Sequence, residues 1–287
     1  MTSVRTIRSH TRRALLEDNM PGASVRLGRL LNKDSRRSFM VAFDRTLAMG
    51  PEPYAEDSAA TITTIAANGA DAILLSPGLV KQHGHLLAYR GAPAIVCRID
   101  FPFLGPADRG SGEDFRLIAS VEEAAALGAD AVVMFHTVGY REKRPWADNL
   151  ATIGRVAQEA RRLGVPLIVE AVPWGATADD PRDPRLVAEA ARIAAELGAD
   201  AIKTEYVGSV EGMRLVVDSC PVPVFALGGP RVSLPELLDF TADSLSAGTS
   251  GVIYGRNVWQ RDDCAEVSAA LVGIVHGSKV AVSGLSI

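Results

Sequence analysis

The segment Asp200-Ala201-Ile202-Lys203-Thr204-Glu205-Tyr206-Val207 places a lysine and a glutamate two residues apart in an otherwise apolar run. In a strand, alternation sets Lys203 and Glu205 on one face and Ile202, Thr204 and Tyr206 on the other. Burying an ammonium is costly unless it is paired or gives up its proton. Two readings therefore stay open. Lys203 is either a core lysine held by Asp44 or Glu205 in a fixed ion pair, or an uncharged amine that attacks a carbonyl and forms a Schiff base.

Other chemistry-bearing residues fall at the ends of apolar runs: Asp44, Arg98, Asp100, His136 and Glu170. His136 is either a satisfied core histidine or a base or substrate contact at the pocket. Two later runs end in Gly228-Gly229-Pro230-Arg231 and Gly255-Arg256-Asn257. Glycine amides let an oxyanion approach closely, and Arg231 or Arg256 would add charge-assisted hydrogen bonds, so both turns read as a phosphate site rather than as plain tight turns. Trp174 is placed to line the mouth of a pocket, with Trp146 and Trp259 as packing residues. Asp100 and Asp108 flank Phe-Pro-Phe-Leu-Gly-Pro, a candidate pocket wall. The run Lys81-Gln82-His83-Gly84-His85 reads as a loop with no neighbouring carboxylate, and no metal site is expected.

Positioning these residues requires a regular scaffold, and the chain has the rhythm of one. Strands are predicted at 38–44, 71–75, 94–100, 130–136, 166–172, 200–207, 222–229 and 251–256, rich in β-branched residues. Helices are predicted between them, among others at 121–127, 149–163, 184–197 and 234–247. Three helices end in Gly-Ala-Asp-Ala, at Gly69, Gly128 and Gly198, a C-cap glycine leading straight into a buried parallel strand. Eight such units predict an α/β fold, a (β/α)8 barrel, whose active site sits at the C-terminal ends of the strands. An open doubly wound sheet would show a glycine fingerprint after its first strand, where this chain has Asp44-Arg45-Thr46.

The 287 residues carry 30 Lys+Arg against 34 Asp+Glu, a net charge of −4, and 47% are apolar. That balance excludes disorder for the bulk of the chain and gives no electrostatic drive toward nucleic acid. No apolar run reaches the ~18 residues that cross a bilayer. Cys97, Cys220 and Cys264 suit neither a disulfide framework nor a zinc knuckle. With no apolar leader, a cytoplasmic protein is expected. The arginine-rich residues 1–37 read as a solvated arm with a short helix packed under the barrel or against a neighbouring subunit, 38–275 as the barrel, and 276–287 as a tail.

These motifs, in this order and spacing, resemble a family of class I aldolases. It groups archaeal-type fructose-bisphosphate aldolase, 2-amino-3,7-dideoxy-D-threo-hept-6-ulosonate synthase and the autoinducer-2 phosphate thiolase. The resemblance spans about residues 26–263 and includes Arg-Leu-Gly-Arg-Leu-Leu-Asn-Lys-Asp-Ser (26–35), Phe43-Asp44, Gly50-Pro51, the Lys203 strand and both glycine turns. It implies a metal-independent barrel, commonly decameric, in which Lys203 is the imine lysine and Asp44 assists proton transfer. Two departures stand out: Asp44 is followed by Arg45 rather than histidine, and Val172-Pro173-Trp174-Gly175 replaces the Tyr-Pro-Arg-Gly of the aldolases. With that tyrosine gone, Glu170 or Glu205 would have to carry its proton; the other reading of Glu170 is a salt-bridge partner of Lys203 or Arg98. The function expected is an aldol or transaldol reaction between a phosphorylated keto substrate and an aldehyde, biosynthetic rather than glycolytic, in a homo-oligomer without cofactors. Alternatives are acyl transfer to coenzyme A on a phosphorylated diketone, and a barrel that only binds a sugar phosphate.

Overall fold

The period-2 alternation of the apolar runs decides how the chain closes. The computed structural model describes residues 21–103 and 113–277. Its parallel strands are β1 (Ser38–Phe43), β2 (Ala72–Leu75), β3 (Ala94–Arg98), β4 (Ala131–Thr137), β5 (Leu167–Val172), β6 (Ala201–Thr204), β7 (Val224–Leu227) and β8 (Gly251–Tyr254). They close in the order β1-β8-β7-β6-β5-β4-β3-β2. One set of alternating residues, including Met40, Leu74, Val96, Val133, Ile168, Phe225 and Ile253, fills the lumen. The other set, including Phe39, Ile73, Val132, Val169, Ile202 and Val252, meets the surrounding helices. Every strand is thus buried on both faces, as parallel strands require.

The repeated Gly-Ala-Asp words do two jobs. Gly69, Gly128 and Gly198 stand at φ of 83°, 94° and 105°, the left-handed turn that ends each helix. The aspartates that follow then bind the neighbouring strand: Asp71 accepts from the Phe39 N–H (2.7 Å), Asp130 from Ile95 (3.0 Å) and Asp200 from Leu167 (2.8 Å). Those strands accordingly begin one residue later than the sequence predicts, because the aspartate serves as a staple across the pair.

Under the N-terminal ends of the strands lies the helix Pro21–Leu30. Leu27 and Leu30 join the lumen cluster from below, each burial contributing about 1.5–3 kcal/mol. Arg26 donates to the Gly164 carbonyl at 2.9 Å and Arg29 pairs with Asp130 at 2.6 Å, fixing the helix across the opening. Of the expected arm and tail, residues 1–20 and 278–287 lie outside the described residues, as does Asp108.

Three local expectations are corrected. The third strand stops at Arg98, and Asp100–Pro102 turns away to pair antiparallel with Phe115–Leu117. Lys81 and His83 belong to a helix, Pro77–His83, capped by Ser76, with His85 in the 3-10 turn that follows. The helix before β5 runs from Lys143 to Leu163, six residues longer at its start than its apolar periodicity suggests, because its first turns hold exposed Lys143, Arg144 and Asp148 and carry no buried stripe. No described helix is long and apolar enough to cross a membrane.

Candidate active site

The lumen is apolar for two layers and then becomes charged. Register pairs Glu170 of β5 with Phe135 of β4 on one side and Lys203 of β6 on the other. Lys203 Nζ lies 2.7 Å from Glu170 Oε1, with both side chains almost fully buried. The partner of Lys203 is therefore Glu170, one of the two pairings open for that carboxylate, and not Asp44 or Glu205. Glu170 turns its second oxygen to Arg98 Nη2. The same guanidinium donates through Nε to Asp44 Oδ2 and through Nη1 to Asp100 Oδ1 (3.0 Å), and stands 4.3 Å from the centroid of the Phe135 ring.

Arg98 is thus the hub of a buried network. Burial by itself would lower its pKa, but the charges of Asp44, Glu170 and Asp100 outweigh that penalty and hold it above the ordinary value. Asp100 is fully buried and also accepts from the Phe135 N–H at 2.7 Å. It therefore anchors the guanidinium rather than facing the pocket as a wall. In the sequence Arg98 stood at a strand end, weighed only as an ion-pair partner for Glu170, a pairing the structure contains. Its signal was a planar, permanently charged side chain among carboxylates in an apolar strand.

A cavity of about 350 Å³ opens above this layer, with Lys203, Glu170, Arg98 and Asp44 in its floor. Gly228, Gly229, Gly255 and Arg256 line the β7–β8 side, and Arg45 and Met49 overhang it from the segment after β1. Asn257, absent from the expected site, knits the two glycine turns together. Its Nδ2 donates to the carbonyls of Gly228 (2.7 Å) and Pro230 (3.0 Å), and its Oδ1 accepts from the Val232 N–H. Arg256 donates to the Gly229 carbonyl at 3.1 Å, and burial together with the charge of Arg45 lowers its pKa. Gly228 has no room for more, since a Cβ there would lie 2.9 Å from the Tyr254 ring.

On the β4–β5 side, Phe135 and Trp174 line the cavity and meet Leu227 from the end of β7, with Val172 packed behind them. Trp174 is held in place twice. Its Nε1–H donates to Glu205 Oε1 at 3.0 Å, and Gly175 after it sits so close to the Gly139 carbonyl that a Cβ would come within 2.1 Å. Burial raises the pKa of Glu205, and the Trp174 hydrogen bond only partly opposes that. Glu205, just beyond the end of β6, thus lines the cavity as a carboxyl with a raised proton affinity.

Two expected site residues are corrected. His136 belongs to the helix-facing set, one position out of phase with Phe135, and is absent from the cavity. It is fully buried, its Nδ1 lies 2.7 Å from Asn149 Oδ1, and Asn149 Nδ2 donates to the Phe135 carbonyl. Asn149 thus shows its oxygen to the ring, so Nδ1 carries the proton and Nε2 has no partner. Burial lowers the pKa of this ring to about 4. Arg231 turns away from the glycine loops and donates to the Gln260 carbonyl at 2.8 Å, leaving Arg256 as the arginine at the cavity. Trp259 packs edge-on against Phe43, donates to the Ala42 carbonyl and also reaches the cavity wall. Among the described residues no group of three or more His, Cys, Asp or Glu side chains could hold a metal ion.

Residues 38–261 match the profile described as DeoC/LacD family aldolase. The chain is 35% identical over 262 residues to 2-amino-4,5-dihydroxy-6-oxo-7-(phosphonooxy)heptanoate synthase of Streptomyces griseus, covering 91% of this chain and 93% of that protein. It is 34% identical over 256 residues to 2-amino-3,7-dideoxy-D-threo-hept-6-ulosonate synthase of Halobacterium salinarum, covering 89% and 92%. Among solved structures, a Schiff-base-forming fructose-1,6-bisphosphate aldolase superposes with a TM-score of 0.79 at 28% identity, covering 88% of this chain and 99% of that one.

Proposed function

The chain belongs to the DeoC/LacD family of aldolases and is a class I, Schiff-base enzyme that makes or breaks a C–C bond; from that premise we propose that it works in a biosynthetic direction, adding a phosphorylated ketone to an aldehyde through Lys203. The observation that carries the reading is the Lys203–Glu170 contact of 2.7 Å at the floor of the cavity. An amine held there beside a carboxylate can pass it a proton and attack a carbonyl lowered onto it.

In this reading the donor's phosphate lies against the turns at Gly228–Gly229 and Gly255–Arg256, with Arg45 beside Arg256. Mutual repulsion between those two arginines is relieved when an anion sits between them. Lys203 adds to the ketone and loses water, giving an iminium whose positive charge rests against Glu170. Arg98 orients Glu170 and Asp44 through direct hydrogen bonds, so Glu170, once it has taken the amine's proton and given it to the departing water, faces that cation. Proton transfer in the carbon chemistry falls to Glu205. It takes a proton from the donor carbon to give the enamine, and returns it to the aldehyde oxygen once the new C–C bond has formed. Water then releases the product and frees the amine. The S. griseus relative's name describes a product with a single phosphonooxy group, which suits a donor-side phosphate. The resemblance also supports a homo-oligomer in the cytoplasm, and sedimentation reads the assembly directly.

Borohydride reduction in the presence of dihydroxyacetone phosphate, followed by peptide mass mapping, tests the assignment. The expected adduct is on Lys203 and disappears in Lys203→Met. Labelling of another lysine, or of none across a panel of keto phosphates, would overturn it.

A further inference from the structure

We infer that the half of the cavity reached by the aldehyde accepts an acceptor without an anionic group, an uncharged aldehyde with an apolar or aromatic body, and rejects phosphorylated aldehydes. This rests on the donor assignment above and extends it to the second substrate.

Going round the barrel from Lys203 on β6, the glycine turns and Arg256 follow β7 and β8, with Arg45 after β1. In the other direction stand Trp174 after β5 and Phe135 on β4. The two rings pack at 5.6 Å between centroids, tilted by 43°, and with Val172 and Leu227 they form one apolar cluster. The polar group on this side is the Glu205 carboxyl, already bound through one oxygen to Trp174.

The cations lining the cavity among the described residues are Arg45, Arg98, Lys203 and Arg256. Each is committed. Arg98 is saturated by three carboxylates, Lys203 is the nucleophile, and Arg45 and Arg256 lie on the donor side. Arg182, whose charge reaches Glu205, is exposed and outside the cavity lining. Among the described residues, a second phosphate would therefore be desolvated between two aromatic rings and a carboxyl, with no dedicated counter-ion. An uncharged aldehyde would stack on Trp174 and Phe135 and bring its oxygen to Glu205. The enamine carbon then bonds to the aldehyde carbon, the carbonyl π pair moves to oxygen, and that oxygen takes the Glu205 proton.

The cleanest probe is a set of three acceptors, two uncharged and one phosphorylated. With dihydroxyacetone phosphate as donor, kcat/KM is measured for glyceraldehyde, glyceraldehyde 3-phosphate and phenylacetaldehyde. The uncharged aldehydes are expected to exceed the phosphorylated one by at least about 100-fold, a discrimination typical of a site that leaves a charge unpaired. Trp174→Arg, and separately Trp174→Lys, should narrow that ratio by at least about tenfold while donor trapping on Lys203 persists. Equal or better use of glyceraldehyde 3-phosphate by an enzyme that still traps the donor overturns this inference alone. Failure to trap any donor overturns the donor assignment and the acceptor inference together.

Discussion

Replacing His136 with asparagine removes a buried titrating ring while keeping an N–H near the position from which Nδ1 serves Asn149. The ring titrates at 6.5 when unperturbed and at about 4 in the fold. Between those values the unfolded chain binds a proton that the native protein refuses, so native stability falls as the pH falls. At 1.36 kcal/mol per pH unit, the loss from this group is about 2 kcal/mol between pH 7.5 and pH 5, and about 3 kcal/mol by pH 4. His136→Asn should be less stable at pH 7.5 by about 1–3 kcal/mol, because a smaller side chain leaves a void in closed packing. On acidification the gap between the two proteins should then narrow by about 2 kcal/mol at pH 5. Comparing the two proteins cancels the titration of Asp100 and Glu205, whose pKa values burial moves the other way. Urea denaturation followed by circular dichroism at several pH values gives the gap directly. Curves that stay parallel from pH 7.5 to 5 would refute the reasoning, since they would mean that the ring is charged in the native state.

Three further predictions concern the site. Glu205→Gln retains an oxygen for Trp174 but cannot carry a proton, so turnover should drop about 10²–10⁴-fold while the donor adduct still forms; undiminished turnover would move the proton step elsewhere. Arg98→Met leaves Asp44, Asp100 and Glu170 without their shared cation and should cost about 3–5 kcal/mol in denaturant titrations. A cost below about 1 kcal/mol would show that the network is already partly protonated. Gly175→Ala forces a Cβ to within 2.1 Å of the Gly139 carbonyl and should displace Trp174, seen as changed indole emission and a raised KM for the aldehyde.

The barrel was legible because its signals are local and repeated: eight β-branched runs, C-cap glycines at fixed φ, and polar residues at strand ends. The Lys203–Glu205 alternation likewise reads directly from spacing. Glu170 was legible as a lumen residue and as an ion-pair partner for Lys203 or Arg98, but that it joins both at once was not, since neighbours across a parallel sheet depend on register between strands far apart in sequence. His136 was misplaced by a single step of the same alternation. Phe135, apolar and therefore unremarked, holds the lumen position, and the polar residue faces the helix. Arg231 and Arg256 were indistinguishable by type, and the turn after β7 decides between them by carrying Arg231 over the rim to Gln260. The aspartate staples went unread because their partners are backbone N–H groups, which leave no mark on composition.

The plug formed by Pro21–Leu30 has a kinetic corollary. With the lumen layers and, beneath them, Leu27 and Leu30 filling the far end, the described part of the chamber opens at the strand ends. In the proposed mechanism the ketone must reach Lys203 in the floor before the aldehyde has a partner, and an aldehyde seated beside it then hinders its retreat. Steady-state analysis should therefore show compulsory order, donor first, with excess aldehyde inhibiting by occupying the entrance of the empty enzyme.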